Sequence, residues 1–133
     1  MDKKVLFVVY QAPVGSIWTN EVYRTAFGMY GEDIEPAVLV MDEASIGLSQ
    51  DTKPESLKLL PIKIVQRFIK KYETEVFGVQ EHLEKFNVKN IDEKFGMKAL
   101  KEEELSDFFH SYDLVIYMWG VVHGTRISKI WFR

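Results

Sequence analysis

Short, uninterrupted apolar runs alternate with segments of helical periodicity along the chain, a pattern typical of strands and helices in a parallel α/β sheet. The apolar runs predict strands at Val5–Tyr10, Glu35–Met41, Glu75–Val79, Lys98–Leu100 and Asp113–Trp119. The periodic segments predict helices at Ile17–Tyr30, Pro61–Tyr72, Gln80–Phe86 and Lys101–Tyr112, with a shorter one at Asp42–Leu48. We therefore expect a single-domain, three-layer α/β sandwich of flavodoxin-like type, around a mainly parallel sheet of about five strands.

The helix predicted at Pro61–Tyr72 has apolar residues on more than one face, because Ile64 and Phe68 lie beside its regular apolar stripe. Such a helix is either deeply buried or in contact with a neighbouring subunit. The C-terminal residues 120–133 are also rich in apolar side chains, including Trp131 and Phe132. We interpret residues 1–119 as the domain and 120–133 as an extension that packs on the domain or at a subunit interface. Ile64, Phe68, Trp131 and Phe132 are the candidate interface residues, and we expect the chain to form oligomers.

Composition narrows the classes of function. The 133 residues are 47% hydrophobic, which suits one globular domain, and 17 basic against 20 acidic residues give a net charge of −3. A chain without a basic excess is not expected to bind nucleic acid directly. No leader sequence and no apolar run of membrane-spanning length is visible, so we expect a cytoplasmic protein that does not enter membranes. The chain has no cysteine, and we expect no disulfide, no metal and no cofactor.

The loop after the first predicted strand is the clearest candidate ligand site, since ligands of open parallel sheets bind beyond the carboxyl ends of the strands. Its turn-forming and capping residues are Gln11, Pro13, Gly15 and Ser16. The Ser16 hydroxyl and nearby backbone N–H groups could hold an anion at a helix N-terminus. Ordinary helix capping is the commoner role of such residues. The loop lacks the signatures of a P-loop and of a dinucleotide-binding fingerprint.

Side chains that could carry out catalysis show no recognisable arrangement. The three histidines His82, His110 and His123 have no metal-ligand spacing. We interpret His82 and His110 as exposed helical positions. The run Glu102–Glu104 is explained by the preference of acidic residues for the first turn of a helix. We expect no catalytic residues and no enzymatic activity.

Three segments, in this order and spacing, resemble the DsrE/DsrF/DsrH superfamily, and most closely its DsrF/TusC branch. They are the strand and Ala-Pro-x-Gly loop of Lys4–Ser16, then Gln50–Pro54, and finally Tyr112–Ile116. The resemblance covers residues 3–119 and implies the α/β fold of that superfamily. Its sulfur-carrying members have a cysteine just after the third strand. By spacing, that position corresponds here to Gly78, Val79 or Gln80, and no thiol is present.

The resemblance implies that the chain is a non-catalytic subunit of a sulfur-relay complex. In the DsrF/TusC branch such a subunit joins DsrE/TusD-like and DsrH/TusB-like subunits, and the TusBCD complex passes sulfur toward thiolation of the tRNA wobble uridine. A different hypothesis also fits the residues. The chain would then be a stand-alone, self-associating domain that binds a small molecule or nucleotide through the first loop and the segment Asp42–Ser56.

Overall fold

The computed structural model describes residues 3–13, 18–51 and 62–118, without the side chains of Trp18 and Ile62. Its five strands are β1 (Lys3–Val9), β2 (Ile34–Val40), β3 (Glu75–Val79), β4 (Lys98–Leu100) and β5 (Leu114–Tyr117). They form one sheet in the order β4-β3-β2-β1-β5, and every neighbouring pair is parallel. The predicted single-domain α/β sandwich with a five-stranded sheet is confirmed. The strand order differs from the 2-1-3-4-5 order of flavodoxin-like sheets.

Within the described ranges, four α-helices connect these strands: α1 (Trp18–Gly28), α2 (Ile62–Tyr72), α3 (Gln80–Lys85) and α4 (Leu105–His110). Three further segments of these ranges, Asp42–Leu48, Glu93–Phe95 and Glu102–Glu104, are 3-10 helices. The last of these replaces the first turn of the helix predicted at Lys101–Tyr112. There the backbone N–H of Lys101 donates to the carboxylate of Glu104 at 3.2 Å.

Strand β1 is buried on both faces, as its uninterrupted apolar run predicts. Val5, Phe7 and Val9 belong to a core shared with α1 and α2, where Tyr23 and Ile69 also lie. Leu6 and Val8 point to the opposite face, where their core includes Phe109 of α4. Helices α1 and α2 therefore cover one face of the sheet and α4 lies on the other.

Helix α2 is not deeply buried, so of the two alternatives expected for Pro61–Tyr72 only contact with a neighbouring subunit is left. It inserts Gln66 and Ile69, each 5% exposed, toward the core, and Phe68 packs on Phe27 with 5.6 Å between ring centroids. Ile64 and Tyr72 remain 48% and 38% exposed. Deep burial fails because the outer face also carries charged side chains that need water. Contact of this helix with another subunit stays a prediction.

The extension 120–133, with the candidate interface residues Trp131 and Phe132, lies outside the described residues. The predicted division of the chain at residue 119 therefore stays a prediction. Among the helices of the described ranges, none combines the length and apolarity required to cross a bilayer.

Candidate functional site at the carboxyl edge of the sheet

The strand order places a topological switch point between β1 and β5. From β1 the chain moves outward through β2, β3 and β4, and then returns to the other side of β1 as β5. In open α/β sheets, the crevice beyond the carboxyl ends of such a strand pair is the usual ligand position. Tyr10 follows β1 and Tyr117 ends β5, and their ring centroids are 5.9 Å apart. Two tyrosines therefore border this crevice.

Tyr117 is held as a neutral phenol. Burial raises its pKa above the ordinary value, and the negative charge of Asp42 and the proximity of Tyr10 raise it further. The Tyr10 and Tyr117 hydroxyls are both enclosed. At neutral pH this end of the crevice therefore offers two aromatic rings and, at Tyr117, a neutral phenol.

A second cluster lies beyond the ends of the three other strands and is centred on His82. This residue follows β3 by three positions, lies in α3 and is only 7% exposed. Its imidazole Nδ1 accepts a hydrogen bond from the backbone N–H of Asp42 at 3.0 Å, and Nε2 lies 2.9 Å from Oε1 of Glu102. The interpretation of His82 as an exposed helical position is therefore wrong, whereas His110 is exposed as expected.

These contacts determine what His82 can do chemically. Because Nδ1 accepts from the Asp42 amide, the proton is on Nε2, which donates to the Glu102 carboxylate. Both ring nitrogens are occupied, so the imidazole has no nitrogen available to act as a base or a nucleophile. We conclude that His82 is a brace that ties together the chain segments leaving β2, β3 and β4.

Asp42 and Glu102, both of which contact His82, each have a notable backbone feature. Asp42 adopts a left-handed conformation with φ of 48°, which aspartate tolerates better than most residues. That conformation occurs where the backbone N–H is directed at His82. On the other side, the backbone N–H of Glu102 donates to both carboxylate oxygens of Glu81 at 3.1 Å.

Within the described ranges, no group of three or more His, Cys, Asp or Glu side chains could hold a metal ion.

Gly78, Val79 and Gln80, the positions that the resemblance pairs with a sulfur-carrying cysteine, differ greatly in accessibility. Val79 is fully buried, and Gly78 is enclosed as well. A Cβ atom added at Gly78 would lie 2.8 Å from Sδ of Met97 and 3.3 Å from a methyl group of Leu48. Gln80, the first residue of α3, is exposed, and its amide donates to Glu84 at 3.1 Å. Only Gln80 among the three is an open position.

The first loop is described only in part. Gln11 and Pro13 are half-buried, whereas Gly15 and Ser16 lie outside the described residues, so the anion-binding role stays a prediction. Pro13 packs close to the 3-10 helix that follows β2. A Cβ atom added at Gly47 of that helix would lie 3.2 Å from Pro13 Cγ and 3.6 Å from Thr19 Cγ2. The loop after β1 and the segment after β2 therefore contact each other beside the crevice.

The comparisons with known proteins find a similar fold but no matching family or curated sequence. No protein-family model matches this chain, and no curated protein matches it. Among solved structures it is similar to the crystal structure of the ychN protein from E. coli, with a TM-score of 0.71 over 88% of this chain and 99% of that one. The two sequences are 18% identical. At this identity the likeness shows the fold alone, which is the DsrE/DsrF/DsrH-like α/β fold expected from the sequence.

Proposed function

We propose that this protein is a non-catalytic, DsrF/TusC-like subunit of a sulfur-relay complex. One observation carries the proposal: the chain has the DsrE/DsrF/DsrH-like fold and no cysteine among its 133 residues. A persulfide forms on a thiolate, and no other side chain at this edge of the sheet can replace it. The sulfur atom is therefore bound by another chain of the complex.

The local packing at the end of β3 supports the same conclusion. Gly78 and Val79 are enclosed by core side chains, including Met97 and Leu48. The nearby imidazole of His82 is fully hydrogen-bonded. The described part of the edge is therefore closely packed and hydrogen-bonded at these positions, which suits a subunit that positions a partner.

The partners we propose are a cysteine-bearing DsrE/TusD-like chain and a DsrH/TusB-like chain. The final sulfur acceptor would be the tRNA wobble uridine, as in TusBCD. With a net charge of −3, this chain lacks the basic excess of a nucleic-acid binder. Contact with tRNA would then be made by a partner.

Purification from the native host tests the proposal. The full chain would carry an affinity tag, and co-purifying proteins would be identified by mass spectrometry at low and high salt. We expect DsrE-like and DsrH-like chains in amounts equal to the tagged chain. A matched purification of tagged His82→Ala protein shows whether the braced edge contributes to this capture. Recovery of the tagged chain with no cysteine-bearing DsrE-like partner would contradict the proposal.

The switch-point crevice supports a second candidate function, in which the chain binds a small molecule without a sulfur-relay partner. The supporting observation is the pair Tyr10 and Tyr117 at the ends of β1 and β5, where ligands of such sheets bind. Native mass spectrometry of the purified protein distinguishes the two functions. A stoichiometric bound flavin or nucleotide favours the second, and a ligand-free mass favours the subunit proposal.

A further inference from the structure

The outer surface of α2 is basic, although the whole chain carries a net charge of −3. This helix has no acidic residue, and its four basic residues are all exposed: Lys63, Arg67, Lys70 and Lys71. None of the four forms a salt bridge with another described residue. Lys71 instead lies 5.4 Å from the ring centre of Tyr72. Among the described residues, these positive charges are therefore not neutralised by an ion pair.

A matching acidic surface lies at the start of α4. Glu103, Glu104 and Asp107 are exposed, and within the described ranges none of the three forms a salt bridge. Glu102 beside them is already engaged with His82. The helix dipole explains acidic residues at this helix start. The Glu104 carboxylate also accepts from the backbone N–H of Lys101, but among the described residues none of the three carboxylates has a cationic side chain as an ion-pair partner.

The two surfaces belong to opposite faces of the sheet. Ile69 anchors α2 in the core on one face, and Phe109 anchors α4 in the core on the other. One molecule therefore cannot bring its own basic surface onto its own acidic surface. Two molecules can do so without rearrangement of either fold.

We propose that the α2 surface (Lys63, Ile64, Arg67 and Lys71) docks on the α4 surface (Glu103, Glu104 and Asp107) of a second copy of this chain. Ile64, 48% exposed, lies beside the cations and gives the contact an apolar centre. Opposite charges select the partner surface and accelerate the encounter. Because different surfaces meet, the contact is heterologous and builds a closed ring or an open chain, according to the rotation between copies. This contact is independent of the sulfur-relay function.

Charge reversal tests the contact. Light scattering would give the mass of three purified full-length proteins: wild type, the triple variant K63E/R67E/K71E and the triple variant E103K/E104K/D107K. Each would be measured at about 0.02 M and about 0.5 M salt, because the higher salt screens exposed charges. We expect each variant to self-associate roughly tenfold more weakly than wild type at low salt, since three exposed ion pairs are lost. The matched control K3E/K85E/K89E reverses three exposed lysines outside both surfaces and is expected to assemble like wild type.

Complementation makes the test specific. An equimolar mixture of the two triple variants restores both oppositely charged contacts, and a single chain carrying all six substitutions does the same. We expect the six-fold variant to recover the wild-type mass. We expect the mixture to reassemble by alternating the two variants, and to recover the wild-type mass when the wild-type assembly is an open chain or an even-numbered ring, with melting curves showing that every variant is folded. A monomeric wild type, unchanged mass in either triple variant, or failure of the mixture and the six-fold variant to reassemble would overturn the proposal. Monomeric wild type that binds RNA through α2 would overturn it in favour of a polyanion partner.

Discussion

At the scale of single residues, His82 shows what sequence reasoning missed. His82 follows a buried strand, as Asp42 follows β2 and Glu102 follows β4. Parallel neighbouring strands bring their carboxyl ends to one edge, so polar residues that follow neighbouring strands lie close together. This signal depends on knowing that β2, β3 and β4 are neighbours, and the hydrophobic pattern does not give the strand order. Without that order, a histidine at a helix start is most simply an exposed residue.

We expect replacement of His82 by alanine to lower the free energy of unfolding by about 2–3 kcal/mol, since it removes two hydrogen bonds at a buried position. His82→Asn should lose less, because its side-chain oxygen can still accept from the Asp42 amide. Urea unfolding measures both. His110→Ala, at an exposed position, is the matched control and should change stability by less than about 0.5 kcal/mol. Equal effects at His82 and His110 would show that the brace contributes nothing.

We expect the partly buried Tyr112 to make the folded protein less stable at high pH. Burial raises the pKa of Tyr112 from 10.0 to about 12 in the folded protein. Below pH 10 the phenol is neutral in both folded and unfolded chains, so its contribution is fully present there. Between pH 10 and 12 the unfolded chain loses the proton first and stability falls.

Urea unfolding at pH 8 and at pH 11 checks this expectation. We expect wild type to lose more stability between the two values than Tyr112→Phe, which keeps the ring and removes the ionisable group. An identical pH response in the two proteins would refute the expectation.

At the scale of elements, the sequence predicts strands better than helix surfaces. All five strands appear near their predicted positions. For the inner strands β1, β2 and β3 the reason is that a strand between two helical layers must be apolar along most of its length, whereas β4 and β5 lie at the edges and are more exposed. For α2, the apolar count predicted either deep burial or contact with another subunit. The helix is not deeply buried, because the interleaved Lys63, Arg67, Lys70 and Lys71 keep one side in water. The first turn of α4 becomes a 3-10 helix, where the Glu104 side chain accepts from the Lys101 amide. Such local hydrogen bonds shift element boundaries and are not predictable from periodicity.

The anchoring of α2 by a polar contact gives a prediction at this scale. Gln66 is 5% exposed and its amide donates to Asp92 at 2.8 Å, while Asp92 also caps the 3-10 helix Glu93–Phe95. Gln66→Ala should lower the free energy of unfolding by about 1–3 kcal/mol, because a buried polar partner is lost. A double-mutant cycle with Asp92→Ala should show a coupling of about 0.5 kcal/mol or more.

Gln80→Ala is the control for this cycle, since Gln80 is exposed and bonded only locally to Glu84. We expect Gln80→Ala to leave the free energy of unfolding nearly unchanged. Strictly additive effects of the Gln66 and Asp92 substitutions would mean that their hydrogen bond does not hold α2 in place.

The junction of β3 and α3 also predicts which engineered thiol would be reachable. Cysteine introduced as Gln80→Cys should react with a thiol reagent in the native protein almost as fast as in the unfolded chain. Val79→Cys, at a fully buried position, should react at least about tenfold more slowly, because reagent access then requires local opening. The cysteine-free background makes each rate unambiguous. Equal native rates at positions 79 and 80 would contradict the described packing.

At the scale of the whole molecule, fold and chemistry separate. The described residues have the DsrE/DsrF/DsrH-like fold with five parallel strands, and the sequence contains no cysteine. The carboxyl edge is braced at His82 and closed at Gly78 and Val79. Because a fold alone does not determine function, the proposal that the chain acts through a partner rests on the missing thiol.

The most direct measurement of this central claim is the location of transferred sulfur. The complex isolated from the host would be incubated with a cysteine desulfurase and radiolabelled cysteine, and its chains separated under non-reducing and reducing conditions. We expect label on a cysteine-bearing partner, removable by a reductant, and no label on this chain. Reductant-sensitive label on this chain, or a complex in which no partner becomes labelled, would contradict it.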